Sequence, residues 1–370
     1  MNNIEKKSFK IDSFKLECNE TIPVELGYET YGTLNEDKSN VILVAHYFSA
    51  SSHAAGKYHE SDPIVGYWDN LIGPDKAIDT NKYFVISIDN LANVQANNPY
   101  VITTGPRSIN PETNKRWGLD FPAFTFKDVA RIQHQFLTEQ LNIDSLAAVI
   151  GASAGGFIGM NWAIEFPDLV KKYIGVITNP QNPIITSFDV LQHAMRAIEL
   201  DPKWNNGDYE DDQQPLDGLA LAIQMMNVGA FSPQFFEDTY QRDSKDSKPY
   251  QSIKNPNSYE VALGNAINAT IGAIDANHWY YTCRATMMHD VAYPEGSLAK
   301  ALGKIKADVL MVSCVKDLLQ PTIFNEQMVE IMKDNGQKIE LFTIDSDKGH
   351  MAGILDTDLY ADKVREFLNK

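Results

Sequence analysis

The chain has 370 residues, of which 44% are hydrophobic and 22% charged, and it carries 16 Tyr and 17 Phe. That is ample material for a packed core and excludes disorder as the organising state. A formal net charge of −17 sets long-range repulsion against nucleic acid and anionic membranes, so neither is expected as a partner.

Residues 1–14 alternate charged with single apolar residues and lack the apolar run of a leader peptide, and no later stretch is long enough to span a bilayer. Cys18, Cys283 and Cys314 are scattered, without a CxxC pair, which fits a reducing, cytoplasmic setting rather than a disulfide framework or a zinc site. Cys314, inside an apolar run, reads as a small buried hydrophobe. Short apolar runs bounded by turn residues predict buried parallel strands at Val41–Ala45, Tyr83–Ile88, Leu146–Ile150, Tyr173–Ile177, Val309–Ser313 and Ile339–Ile344. Phe126–Leu141 and Gly156–Phe166 between them read as helices. Such alternation predicts a mostly parallel sheet covered by helices on both faces. It stops between about 179 and 296, where helix formers dominate (Phe188–Leu200, Gly218–Asn227, Tyr259–Thr270) and polar stretches interrupt at 205–215 and 243–256. The expected organisation is an α/β core of residues 1–178 and 297–370 with a helical lid inserted at 179–296. The acidic cluster Glu210–Asp212 reads as a solvated loop between lid helices.

The sharpest local signal is Gly151-Ala152-Ser153-Ala154-Gly155-Gly156, between an apolar strand and an amphipathic stretch. This is the strand–turn–helix setting of a GxSxG nucleophile elbow, in which small residues let strand and helix approach while the serine sits on a strained turn. The elbow implies the α/β-hydrolase fold. A serine hydroxyl needs a base, and the base needs an orienting acid. In this fold they follow in the order acid, then His, each past the end of a strand. Asp317 lies just beyond Val309–Ser313, and His350 lies in the loop after Ile339–Ile344. The candidate triad is therefore Ser153, Asp317 and His350, with Asp345 and Asp347 read as turn residues of the histidine's own loop. An oxyanion hole needs two N–H donors; the candidates are the amides of Ala154 and of Phe48, in the loop His46–Gly56. His46 and His53 read as loop or core histidines with local hydrogen bonds.

A metal site is not expected, because His278, His289 and Asp290 lack paired ligand spacing. Asn277–Tyr281 reads as lid core or tunnel lining. No GxxxxGK[ST] phosphate loop exists, so a coenzyme A cosubstrate would depend on scattered basic residues, with Arg107, Lys115 and Arg116 as candidates.

Taken together, the chain resembles the homoserine O-acetyltransferases, an acyltransferase branch of the α/β-hydrolase fold. The resemblance spans nearly the whole chain. It rests on YETYGTLN at 28–35, the loop His46–Gly56, YWDNLIGP at 67–74, TGPRSINP at 104–111, DFP at 120–122, the elbow, DAN at 275–277 and Gly349-His350. It implies ping-pong transfer of an acyl group from acetyl-CoA or another acyl-CoA, through Ser153, to an acceptor hydroxyl. Donor and acceptor are then small molecules and no cofactor is bound permanently. The lid would form a tunnel over the serine, and often the contact of a homodimer. Three positions depart from the family pattern. A Thr-Tyr-Arg-Ser stretch is matched by Gly229-Ala230-Phe231-Ser232, an Arg before the DAN stretch by Ala273, and an acid after the histidine by Met351. Phe231, Ala273 and Met351 are thus the candidate pocket residues. A zwitterion brought there would lose hydration without replacement partners, so homoserine is expected to be a poor acceptor. A carboxylesterase, with water as acceptor, uses the same triad and stays open beside the transferase. A catalytically silent binding protein is the third reading, against which the complete triad speaks.

Overall fold

The alternation of charge and hydrocarbon at the N-terminus resolves into a hairpin in the computed structural model, which describes residues 4–240, 242 and 248–370. Strand β1 (Lys7–Lys15) pairs antiparallel with β2 (Thr21–Tyr31), turning Phe9, Ile11 and Phe14 inward and Lys10 and Asp12 to water. Next come β3 (Val41–Ala45), β4 (Phe84–Ile88), β5 (Ala148–Ala152), β6 (Lys172–Val176), β7 (Asp308–Cys314) and β8 (Ile339–Ile344). The sheet order is β1-β2-β4-β3-β5-β6-β7-β8. Pairing is parallel from β4 onward, and β2 joins β4 antiparallel. Apart from β8, whose middle is half-buried, these later strands are buried almost throughout, as near-continuous apolar runs demand. Strand β5 starts two residues later than the sequence suggests because Leu146 makes only an isolated bridge to Val170.

Helix α1 (Phe126–Gln135) opens with a capping box between Thr125 and Asp128 and runs on as π-helical turns through Gln140. Helix α2 (Ala154–Glu165) follows β5 without a linker beyond Ser153. Among the described residues no sheet strand intervenes between β6 and β7. That stretch holds α3 (His193–Leu200), α4 (Leu216–Ala230), α5 (Pro233–Thr239), α6 (Ser258–Asn268) and α7 (Ala276–Met287). The insertion has its own apolar centre, including Leu191, Ile198, Leu219, Ile223, Trp279 and Cys283. Of the polar stretch expected at 243–256, residues 243–247 lie outside the described residues. Helices α8 (Thr322–Asp334) and α9 (Ala361–Asn369) complete the core. Helices α1 and α2 cover one face of the sheet, and the other face packs on α9 through Val364, Phe367 and Leu368. No described helix is long and apolar enough to cross a membrane.

Candidate active site

Crowding builds the serine turn. A Cβ on Gly155 would lie 2.0 Å from the carbonyl oxygen of Ala45, so only glycine lets α2 start against the end of β3. Ser153 itself takes φ 52° and ψ −120°, a strained conformation for a residue with a side chain. The turn is pinned on both sides: Ser153 N–H donates to Val176 O at 2.9 Å, and Thr178 Oγ1 donates to Ser153 O at 3.0 Å. Ala154 opens α2, so its N–H has no carbonyl one turn back within the helix.

Asp317 and His350 come from the loops after β7 and β8. His350 Nδ1 lies 2.8 Å from Asp317 Oδ2, and His350 Nε2 lies 2.9 Å from Ser153 Oγ. The second carboxylate oxygen, Oδ1, accepts N–H bonds from Leu319 at 2.9 Å and Gln320 at 2.8 Å. The carboxylate is thereby aimed, and its side chain is fully buried. The three residues predicted from 153, 317 and 350 meet in one hydrogen-bonded line. Asp345 and Asp347 stand aside, paired with Lys316 at 3.1 and 2.8 Å.

The loop after β3, which carries Phe48, rests on a buried charge network that sequence reasoning misses. The fully buried Glu29 accepts from Tyr31 (2.8 Å), His53 Nδ1 (2.9 Å) and Tyr58 (2.6 Å), with Lys6 Nζ at 3.1 Å. Burial alone would raise its carboxyl, yet the bonds from His53 and Tyr58 and the Lys6 charge hold it below the ordinary range. Lys6 also reaches Asp89, 3.2 Å away, whose Oδ1 takes the N–H of Ser52 at 2.7 Å. Tyr31 OH accepts the N–H of Ala54 at 2.9 Å. Glu29 and Tyr31 sit in the YETYG stretch, so a glutamate amid apolar residues of an inner strand is the signal that could have found them. His46 Nε2 accepts from Asn90 N–H at 3.1 Å, and burial lowers its pKa; like His53 it holds a loop. Phe48 packs edge-on to Trp279 of α7, ring centroids 4.8 Å apart.

Of the pocket candidates, Phe231 and Met351 pack on one apolar cluster of Val190, Ala230 and Leu319. Ala273 lies elsewhere, on a cavity of about 800 Å³ lined also by Tyr47, Tyr67, Ile223 and Trp279. Glu210–Asp212 is exposed as expected, but its Asp211 is more than a solvated charge. It binds Arg107 at 2.8 Å and Arg116 at 2.7 Å, so neither arginine stands free for a phosphate; Lys115 is exposed. His278 and His289 are buried on separate backbone carbonyls, Asn93 O and Asn179 O. Among the described residues no three His, Cys, Asp or Glu side chains converge to hold a metal. Cys283 and Cys314 are buried and Cys18 is exposed; none is bonded to another.

A family model described as alpha/beta hydrolase fold matches residues 54–355. The chain is 36% identical to a homoserine O-acetyltransferase of Deferribacter desulfuricans over 97% of its own length and 93% of that protein. Among solved structures, a homoserine O-acetyltransferase from Bacillus anthracis matches with TM-score 0.97 at 50% identity, over 100% of this chain and 99% of the other. Esterase E22 matches with TM-score 0.94 at 40% identity, over 99% and 100%. With names for acetyl transfer and for ester cleavage at this level of likeness, the chain is a serine acyltransferase or esterase. It belongs to the homoserine O-acetyltransferase family of the α/β-hydrolase fold.

Proposed function

We propose that the protein transfers an acyl group from a small thioester or ester donor, acetyl-CoA being the type, to an acceptor hydroxyl through an acyl-Ser153 intermediate. The observation that carries this is the unbroken line from Asp317 through His350 to Ser153 Oγ, 2.8 and 2.9 Å long. In the first half, Oγ attacks the donor carbonyl while its proton passes to Nε2. The N–H groups of Phe48 and Ala154 then stabilise the oxyanion. Collapse expels the thiolate or alkoxide, which takes the proton from Nε2. In the second half the acceptor hydroxyl gives its proton to Nε2 and attacks the acyl carbonyl, and Ser153 leaves and is reprotonated. Asp317 keeps Nδ1–H in place and stabilises the imidazolium.

The acceptor is less polar than homoserine. Phe231 and Met351 face an apolar cluster, and among the described residues no Lys or Arg lines the cavity that holds Ala273. A carboxylate would be desolvated there without a cation to pair it, while Asp62 is the carboxylate on the wall of the Ala273 cavity. Coenzyme A would have to compete with Asp211 for Arg107 and Arg116. The insertion exposes Ile184, Ile185, Phe188 and Leu200, which supports a homodimer joined through it. The free cysteines support a cytoplasmic setting. Hydrolysis is the second reading, favoured by the likeness to esterase E22.

Intact-protein mass spectrometry separates the two. Wild type and Ser153→Ala are mixed with acetyl-CoA or p-nitrophenyl acetate. One acetyl group that persists on wild type after acetyl-CoA, is absent from Ser153→Ala and is removed by an added alcohol supports transfer. Rapid ester turnover with no acylation by the thioester supports the esterase. Equal acylation of Ser153→Ala would remove Ser153 from the chemistry.

A further inference from the structure

We propose that Ser232 is a positioning residue through which the helical insertion sets the imidazole of His350; the inference rests on His350 serving as the base. The histidine loop, from Asp345 to Gly349, is fastened at three places, one of them the Asp356 carboxylate, which takes bonds from Ser346 Oγ and Lys348 Nζ within the core. On the core side Lys316 pairs with Asp345 and Asp347, but all three side chains are 41–70% exposed. Exposed pairs of this kind hold weakly and weaken further with salt. On the insertion side Ser232, only 2% exposed, donates its Oγ–H to Asp347 O at 2.6 Å, and its backbone N–H reaches the same carbonyl at 3.3 Å. A short hydrogen bond from a buried hydroxyl is the firmer tie.

The contact is also tight enough to constrain the backbone beside His350. Gly349 takes φ +56°, and a Cβ there would come within 3.0 Å of Ser232 N and of Lys316 O. The residue preceding the histidine is thus wedged between the insertion and the loop of Asp317. Ser232 sits at the exit of α4 and caps α5, accepting from Phe235 N–H at 3.3 Å. A shift of α4 or α5 therefore reaches Asp347, three residues before His350, through one side chain. Phe231, the neighbouring residue, packs on the cluster that includes Met351, the residue after His350. The packing of that cluster and the aim of the imidazole are thus tied to the same turn of chain.

Capping α5 is the purely structural alternative, and substitutions separate the two roles. Ser232→Ala loses cap and donor, Ser232→Thr keeps both, and Ser232→Gly loses the donor while retaining most of the cap, since glycine caps helices nearly as well as serine. Each variant is assayed for p-nitrophenyl acetate turnover, for the rate of Ser153 labelling by an alkyl fluorophosphonate, and for its melting temperature. The expected result is that Ala and Gly lower kcat and labelling rate by about ten-fold, the scale of a small misplacement of a reacting group. KM should stay within about two-fold, Thr should recover most of the loss, and Gly should melt close to wild type. Wild-type kcat and labelling in Ser232→Gly, or a loss confined to KM, overturns the proposal, as does a Thr variant as impaired as Ala. If the reagent labels wild type but not at Ser153, the acyl-serine reading falls instead.

Discussion

On the β3 side of Ser153 the protein buries a network of charges, and beyond His350, where the insertion meets its loop, it buries hydrocarbon. Glu29 and Asp89 are fully buried around Lys6, and Tyr31, His53, Tyr58 and the Ser52 amide occupy their oxygens. Across the site Phe231 and Met351 pack on Val190, Ala230 and Leu319, with the Ser232 bond as the polar tie. A satisfied ionic network fixes backbone amides without help from the insertion, at the risk of heavy loss if one member goes. An apolar wall tolerates exchange of side chains so long as volume is kept. The loop that carries Phe48 and the loop that carries His350 thus rest on supports of different chemistry.

Removing one member of the charged network tests this most severely. Glu29→Ala leaves Asp89 alone with Lys6, strips His53 and Tyr58 of their acceptor and leaves Tyr31 only the Ser52 carbonyl, 3.3 Å away. Breaking a buried charge pair in this way costs about 3–5 kcal/mol, read as a lowered urea midpoint. Met351→Leu, nearly volume-conserving, should cost less than about 1.5 kcal/mol. Equal costs for the two would erase the distinction between the two walls.

The same contrast decides what the sequence makes legible. The elbow is local: Gly151, Ser153 and Gly155 sit on one turn, so crowding writes itself into consecutive residues. Asp317 and His350 are readable because topology places them past strand ends. The N-terminal hairpin carries alternation in Phe9, Lys10, Ile11 and Asp12, but nothing in those residues tells that β1 and β2 flank an otherwise parallel sheet. Helix α7 is hidden because its aromatics, Trp279 to Tyr281, fit a strand as well; Asp275, accepting from His278 N–H at 3.0 Å, marks its start. Ser232 and Asp347 lie 115 residues apart, and Arg107 and Asp211 lie 104 apart. Ties of that span leave no periodicity to read, which is why Asp211 looks merely solvated and Ser232 idle.

Acidity sharpens the comparison because the two kinds of buried group act in different windows. Burial lowers His46 and His278, and pushes His289 down to about 3. An unfolded histidine takes up its proton near pH 6.5 while these stay neutral in the native state, so the unfolded state binds more protons and stability falls as pH drops below 6.5. Glu29, held below its ordinary value, contributes stability that is lost only as pH falls through its lowered native pKa, beneath about 4.5. Asp128, raised to about 6 by burial, opposes the histidines in part. His289→Gln isolates one histidine. Between pH 7 and pH 5 wild type should lose about 2 kcal/mol more than the variant, measured by urea unfolding at both values. Parallel losses would mean that His289 is not held neutral.

The smallest expected effect bears on selectivity. Phe231→Arg with Met351→Asp places charges of both signs on the apolar wall, where a zwitterionic acceptor would meet them, and leaves the Glu29 network untouched. If that wall selects the acceptor, kcat/KM for homoserine should rise about ten-fold, near 1.4 kcal/mol of added binding to the second transition state. Transfer to an uncharged alcohol should fall, because the new charges lose hydration when an apolar acceptor covers them. The acylation half-reaction, followed as release of p-nitrophenol in the first turnover, does not involve the acceptor and should keep its rate. An acylation rate that falls together with alcohol transfer would mean that the two walls are one support, since a change at the apolar side would then have disturbed the line through His350.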